Sequence, residues 1–152
     1  MTGTQIRAAI VTEKISYIRE MLEAVRRLPL SSYDDFGADF RNAAAAESCL
    51  RRALESLFDL GRHILAKGFA VAPAEYKEIA QALIKHKILS GERGQILRQM
   101  AGYRNRMVHF YHEITVVELY TLCSENLSDI EEICEAFVGW LRRHANKVDA
   151  SI

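Results

Sequence analysis

The scarcity of chain breaks is the feature of this sequence that most constrains its fold. Only two prolines and eight glycines interrupt 152 residues. Between these breaks, apolar side chains recur three and four positions apart, which is the spacing of one face of an α-helix. The sequence shows no strand-like alternation, internal repeat or low-complexity tract. The pattern therefore predicts an all-α protein built from amphipathic helices.

The breaks divide the chain into four long helical segments and one short one, an arrangement typical of an up-and-down helical bundle. Pro29 ends the first segment, Gly68 closes the second, and Pro73 suits the first turn of the short third helix. The stretch 90–94 is the next break. The predicted segments are 4–28, 36–66, 73–84, a fourth helix that carries residues 104–109 near its end, and 116–144 after a turn at 113–115.

Bulk composition limits the kind of protein this can be. A chain of 152 residues that is 49% hydrophobic and 26% charged fits one globular domain, which we assign to residues 1–152. Twenty basic residues balance twenty acidic ones, so any RNA site must depend on local charge. Three cysteines without a CxxC pair, no secretion signal and no run of ~18 apolar residues predict a cytoplasmic protein with no membrane span.

Residues 103–112, YRNRMVHFYH, depart from the surrounding pattern of leucines and solvated charges. Asn105 and His109 are four positions apart and share a helix face, so the amide is placed to orient the imidazole. Arg104 and His109 are five positions apart, roughly 140° around an ideal helix. Within one protomer they converge only through the length of the arginine, whereas a second copy of the chain would also bring them together.

These residue types suit cleavage of an RNA phosphodiester. A base removes the 2′-hydroxyl proton, an acid protonates the leaving oxygen, and cations stabilise the crowded phosphorane. Histidine titrates near neutrality, and arginine binds phosphate through paired hydrogen bonds. Two copies of His109 would serve as base and acid while two copies of Arg104 hold the phosphate, with no metal or cofactor. On chemistry alone, a capping or salt-bridging role for this pair remains open.

Other candidate groups favour structural roles. His63 lies among apolar residues of the second segment, and we expect it to pack between helices or lie at the surface. His86 and His112 have no companion carboxylate or cysteine at ligand spacing, so no metal site is predicted. Cys123 and Cys134 have apolar neighbours and are expected in the core.

A family resemblance rests on residues 104–111, whose sequence RNRMVHFY resembles the Arg-x-x-x-x-His-x-Tyr signature of HepT-type HEPN proteins. The asparagine after the arginine matches as well. The resemblance covers most of the chain, because it includes the Leu28-Pro29 helix stop, the stretch LESLFDLGRHIL at 54–65, the Pro73-x-x-Tyr76 start and MAGY at 100–103. It implies a HEPN-like helical fold.

The resemblance also implies a homodimeric ribonuclease toxin that is paired with a small nucleotidyltransferase antitoxin of the MNT type. Arg104 and His109 would be catalytic, Asn105 would support them, and Tyr111 would receive adenylyl groups from the partner. Each added nucleotide would bring bulk and negative charge beside the catalytic pair and compete with the RNA phosphate. Phe110 departs from the family, since many relatives carry an acidic residue there, and this puts a polar role at that position in doubt.

Two classes of function are therefore considered. One is a catalytic ribonuclease held in check by a partner, and the other is a non-catalytic helical module that binds nucleotides or another protein. The presence of both Arg104 and His109 favours the ribonuclease. Basic residues gather at 85–87 and 93–106 while the last segment is acidic, which would form either a basic groove or two ordinary solvated faces.

Overall fold

The computed structural model describes residues 5–109 and 113–152, which form seven α-helices and one 3₁₀ turn without a strand. The predicted all-α bundle is confirmed. In chain order the elements are α1 Ala8–Arg26, α2 Tyr33–Gly37, α3 Phe40–Phe69, α4 Tyr76–Lys85, α5 Gly91–His109, α6 Val116–Glu125, α7 Leu127–Arg143 and the 3₁₀ turn Ala145–Lys147. None of these helices is long and apolar enough to cross a membrane.

Two of the predicted helices are each divided in the structure. The short α2 precedes α3, and Asp39 then starts α3 by accepting the Arg41 backbone N–H at 2.9 Å. The final segment breaks at Asn126, where φ is −115° and ψ is 1°, and the side-chain amide of Asn126 donates to Asp129. At both places a short polar side chain makes a local hydrogen bond that competes with continuation of the helix.

The start of α4 lies three residues after Pro73, later than the proline predicts. The helix begins at Tyr76, and the carboxylate of Glu78 accepts the backbone N–H groups of Ala74 and Glu75 at 3.1 and 3.2 Å. These bonds satisfy donors that a helix start would otherwise leave without partners. Tyr76 is thereby fixed at the first position of α4, where its ring contacts α3.

The long helix α3 supplies the centre of the core. Helix α1 packs along α3 more extensively than any other pair of helices, and α4 packs chiefly on α5. Aromatic side chains fill the space between the elements, and the largest fully buried ones are Phe36, Phe58 and Phe137. Because α3 runs for 30 residues, about 45 Å at 1.5 Å per residue, it can contact every other helix.

Gly94 lies inside α5 and is buried, although the sequence pattern predicts a break there. A Cβ at this position would collide with Cγ1 and Cδ1 of Ile84 on α4. The glycine is required because α4 approaches α5 too closely for a side chain, and such a contact between neighbouring helices leaves no sign in the apolar spacing of the sequence.

The first and last described segments lie side by side. The N–H of Ile6 donates to the carbonyl of Lys147 at 2.8 Å, and the N–H of Asp149 donates to the carbonyl of Ile6 at 3.0 Å. Beside them, Nε2 of His63 accepts the Arg7 N–H at 3.0 Å. The expectation of a structural His63 is confirmed, since the imidazole supports the start of α1.

The cysteines behave as the sequence predicts. Cys123 and Cys134 are buried in the core, and burial raises the pKa of each thiol to about 12. A thiol with so high a pKa stays protonated near neutral pH and is a poor nucleophile. Cys49 is only partly buried and forms no disulfide.

Candidate active site

The C-terminal half of α5 carries the candidate residues. Only 17% of the Arg104 side chain is exposed, whereas His109, the last residue of the helix, is exposed. The arginine is therefore held within the protein and the histidine is presented at its surface. The side chains that hold this helix in the core are Leu97, Met100, Ala101 and Met107.

Three neighbours orient the guanidinium of Arg104. Its Nη2 donates to Oε1 of Glu55 on α3 at 3.4 Å, and its Nη1 donates to Oδ1 of Asn105 at 3.3 Å. Its Cζ lies 4.4 Å from the ring centroid of Tyr76 on α4, within the distance at which a cation is attracted to an aromatic face. Groups from three helices thus set the direction of one side chain.

The guanidinium of Arg104 is not saturated by these contacts. Its Nε is buried and has no hydrogen-bond partner among the described residues. The two side-chain hydrogen bonds lie beyond the usual range of N–H···O distances and are therefore weak. Since arginine carries five N–H donors in a planar fork, Arg104 can direct donors to a phosphate without first breaking a strong ion pair.

Glu55 is a site residue that the sequence analysis did not identify. The same Oε1 that accepts from Arg104 also accepts from Nη1 of Arg51 at 3.4 Å, one turn earlier in α3. The contact with Arg104 joins residues 49 positions apart, so no local pattern could reveal it. The one available signal is that Glu55 lies in the 54–65 stretch that carries the family resemblance.

Tyr76 packs at the start of α4, with its ring centroid 4.8 Å from that of Phe58. Its contacts with cations leave no local sign in the sequence. Besides Arg104, the guanidinium of Arg62 lies 5.6 Å from the Tyr76 ring centroid. Tyr76 is therefore a platform for two arginines from two different helices.

Three further residues of the motif are Asn105, Phe110 and Tyr111, and the structure describes only the first of these. The amide oxygen of Asn105 accepts a hydrogen bond from Arg104, a contact that the sequence analysis did not predict. Its role in orienting His109 stays a prediction. Phe110 and Tyr111 lie outside the described residues, so the assignment of Tyr111 as the modified residue also stays a prediction.

Arg106, the second arginine of the motif, joins α5 to α6. Its Nη1 and Nη2 donate to the two carboxylate oxygens of Glu118 at 3.0 and 2.9 Å, and Nη2 also donates to the carbonyl of Glu113 at 3.2 Å. The side-chain hydrogen bond raises the pKa of Arg106 and lowers the pKa of Glu118. Glu118 also accepts the Thr115 N–H at 3.3 Å. One carboxylate therefore fixes the end of α5 to the start of α6.

The described residues of this site include two groups that could take part in a reaction. Arg104 presents a guanidinium suited to phosphate, and His109 presents an imidazole, a group that can accept or donate a proton. Within residues 5–109 and 113–152, no group of three or more histidine, cysteine, aspartate or glutamate side chains is arranged to hold a metal ion.

The chain is a helical bundle that carries Arg104 and His109 five positions apart near the end of α5. Residues 13–137 match the family described as Ribonuclease HepT-like. This match covers most of the 152 residues, and the chain belongs to this family.

Named relatives and a solved structure are similar to this chain over most of its length. The tRNA nuclease HepT of Aphanizomenon flos-aquae is 26% identical over 121 residues, which are 80% of this chain and 82% of that protein. The mRNA nuclease HepT of Shewanella oneidensis is 21% identical over 126 residues, 83% of this chain and 94% of that protein. The structure of the tri-AMPylated Shewanella oneidensis HEPN toxin in complex with MNT antitoxin matches with a TM-score of 0.78 at 21% identity, and the match covers 86% of this chain and 97% of that one. This likeness confirms the HEPN fold.

Proposed function

We propose that this protein is the toxin of a HEPN/MNT toxin–antitoxin pair and acts as a metal-independent endoribonuclease. The observation that carries the proposal is the guanidinium of Arg104, which Glu55 and Tyr76 orient on the helix that ends at the exposed His109. Membership of the HepT-like ribonuclease family supports the choice of RNA as substrate. The names of the two relatives, a tRNA nuclease and an mRNA nuclease, support it as well.

In the proposed reaction, the 2′-oxygen attacks the adjacent phosphorus and the 5′-oxygen of the next nucleotide leaves. His109 of one protomer takes the 2′-hydroxyl proton, and the protonated His109 of its partner gives a proton to the leaving oxygen. The products are a 2′,3′-cyclic phosphate and a 5′-hydroxyl. Arg104 donates hydrogen bonds to the non-bridging oxygens, where negative charge increases in the transition state.

A homodimer supplies the second histidine that this mechanism needs. One imidazole cannot accept and donate a proton in the same step, and Arg104 of one chain is directed toward α3 and α4 while His109 is at the exposed end of α5. A twofold axis beside the end of α5 would bring two copies of each residue together.

We further propose that an MNT-type antitoxin silences the toxin by adding adenylyl groups to Tyr111. The hydroxyl oxygen would bond to the α-phosphorus of a nucleoside triphosphate, with loss of pyrophosphate. The modification would place negative charge two positions from His109 and repel the RNA backbone. The solved complex of a tri-AMPylated HEPN toxin with MNT antitoxin supports AMPylation as the modification, and the choice of Tyr111 rests on its place in the motif.

Cleavage of a labelled RNA pool in EDTA tests the nuclease. Wild-type protein, checked by mass spectrometry to be free of adenylyl groups, should produce 2′,3′-cyclic phosphate ends, whereas Arg104→Ala and His109→Ala should not. His109→Ala should keep the thermal unfolding curve of the wild type, since His109 is exposed at the end of α5. Arg104→Ala also removes the contacts with Glu55 and Tyr76, so the same curve checks that this variant is folded at the assay temperature. Equal cleavage by well-folded His109→Ala protein would contradict the role of His109, and no cleavage by any of the three proteins would favour the non-catalytic binding module.

Co-expression with the MNT enzyme tests the modification. The wild-type chain should gain adenylyl mass and lose cleavage, and Tyr111→Phe should gain none. An equal mass gain in Tyr111→Phe would assign the modification to another residue.

A further inference from the structure

We infer that a cationic groove beside Arg104 binds the phosphate next to the cleaved one in the RNA strand, an inference that rests on the proposed function. The groove lies where α3, the start of α4 and α5 meet, and its volume is about 400 Å³. Its lining includes three cations, Arg62, Lys77 and Arg104, together with Glu75, Tyr76 and Asn105. We call it the Arg62–Lys77 groove.

The Tyr76 ring fixes the spacing between two of these cations. Arg104 and Arg62 place their Cζ atoms 4.4 and 5.6 Å from the same ring centroid. Their charges therefore lie within about 10 Å of each other. An extended RNA strand that places one phosphate on Arg104 can place a neighbouring phosphate on Arg62 without leaving the groove.

Arg62 can exchange its present partner for a phosphate. Its side chain is 39% exposed, and its Nη1 lies 3.8 Å from a carboxylate oxygen of Asp59. Exposed ion pairs of this kind contribute little stability. Asp59 also pairs with Lys14 at 3.7 Å, so it keeps a cationic neighbour if Arg62 turns toward RNA.

The acidic residues at the start of α4 do not cancel the positive charge. The carboxylate of Glu78 accepts hydrogen bonds from the backbone N–H groups of Ala74 and Glu75. Glu78 keeps its negative charge but is not among the lining residues, where the carboxylate of Glu75 stands beside three cations. Lys77 is exposed in the first turn of the same helix, so its ammonium group is available to a ligand in the groove.

The contacts favour a phosphate over a base as the occupant. The ring of Tyr76 already packs against Phe58 and carries the guanidiniums of Arg104 and Arg62. It therefore supports cations and is not available as a stacking platform for a base. A site of this kind positions the RNA strand but does not distinguish its sequence.

The test measures RNA binding in a His109→Ala background, where cleavage is blocked. Affinity for a mixed-sequence single-stranded RNA is followed by fluorescence anisotropy over a range of salt concentrations. Arg62→Ala and Lys77→Ala should each weaken binding and reduce the slope of log K against log salt by about 0.7, and the double variant by about 1.4. The matched control is Arg27→Ala, an exposed arginine just after α1 that lies 3.9 Å from Glu23, and it should leave both quantities unchanged.

An unchanged salt slope in a double variant that unfolds like its parent would overturn the inference. So would a loss of antitoxin binding without a loss of RNA binding. The nuclease is tested separately with the His109-containing protein. If that protein cuts RNA but the slope is unchanged, the groove inference alone fails. If the slope falls but no RNA is cut, the groove binds RNA and the proposed function fails.

Discussion

Glu55 has two opposing effects on Arg104. It orients the guanidinium, and its negative charge competes with a phosphate for the same donors. The distance of 3.4 Å and the sharing of Oε1 with Arg51 weaken the competition, because the carboxylate charge is divided between two cations. We therefore expect orientation, which the Tyr76 contact reinforces, to be the larger effect, with Glu55 as a positioning residue in the proposed reaction.

This balance predicts the effect of removing the carboxylate. Glu55→Ala should lower kcat by about 10-fold to 100-fold, because a small misplacement of a catalytic group has a cost of this order. Glu55→Gln keeps an oxygen acceptor for Arg104 and should recover much of the loss. Steady-state cleavage and thermal unfolding of both variants separate the two roles, since a merely structural effect would lower Tm. Higher kcat in Glu55→Ala would show that competition outweighs orientation.

The surroundings of His63 predict that the stability of the fold depends on pH. Burial lowers its pKa, with help from the positive charges of Lys67 and Arg7, while the carboxylate of Asp149 acts in the opposite direction. Only the neutral ring can accept the Arg7 N–H at Nε2. Below the ordinary histidine pKa of about 6.5, the unfolded chain therefore binds a proton that the folded chain resists. Stability should fall as pH drops from about 6.5 toward the lower folded pKa, and this contribution should be constant above that window.

Urea unfolding of wild-type and His63→Gln protein at pH 8 and pH 5.5 measures this effect. The glutamine does not titrate, so the loss of unfolding free energy at the lower pH should be smaller in the variant. Equal losses in both proteins would mean that other groups account for the acid sensitivity.

At the scale of helices, two different contacts position α5. Near its start, the absence of a side chain at Gly94 lets Ile84 of α4 approach the helix backbone. Near its end, Arg106 donates to both carboxylate oxygens of Glu118 at the start of α6. Arg104 lies between these two points, so its direction depends on how α5 is fixed at each of them.

Alanine substitutions at two glycines of α5 should change the stability of the fold in opposite directions. Gly94→Ala forces a Cβ into Ile84 and should destabilise the fold by about 1–3 kcal/mol. Gly102→Ala meets nothing within 4 Å and should stabilise the helix by about 0.8–1 kcal/mol. Chemical denaturation measures both, and Ile84→Ala should restore part of the loss in Gly94→Ala. A neutral Gly94→Ala would show that α4 and α5 can separate at little cost.

The sequence predicts the end of a helix well where a local residue such as proline stops it. It predicts the end poorly where the backbone turns within an otherwise continuous apolar pattern. Pro29 marks the end of α1 to within a few residues, because proline cannot continue a helix. The break at Asn126 interrupts a stretch in which Leu119, Cys123, Leu127 and Ile130 keep the apolar spacing of one long helix, so that spacing does not predict it. The candidate site shows the same contrast. Residues 104–109 stand out in the sequence, whereas the contacts of Glu55 and Tyr76 with Arg104 are visible only in the folded structure.

At the scale of the whole molecule, one core connects all the helices, and its buried side chains run from Ile6 to Val148. The two ends of this range meet in a parallel bridge. Cys123 and Cys134 lie within the core on α6 and α7, so their thiols report on the folding of the whole chain.

Thiol labelling should therefore follow global unfolding. In a Cys49→Ser variant, Cys123 and Cys134 should react with a disulfide reagent only as fast as the protein unfolds, because both are buried and their pKa is raised to about 12. Adding guanidinium chloride should make both react at once, as measured by absorbance. Rapid labelling of either thiol without denaturant would show local opening of α6 or α7.

The bond between Arg106 and Glu118 also has a consequence for the order in which the chain is synthesised. Glu55 and Tyr76, which orient Arg104, leave the ribosome before Arg104 itself, whereas Glu118 follows it. A nascent chain can therefore complete the packing around Arg104 while the end of α5 still lacks its link to α6. Any polypeptide released before residue 118 keeps the arginine and its partners but cannot form that link.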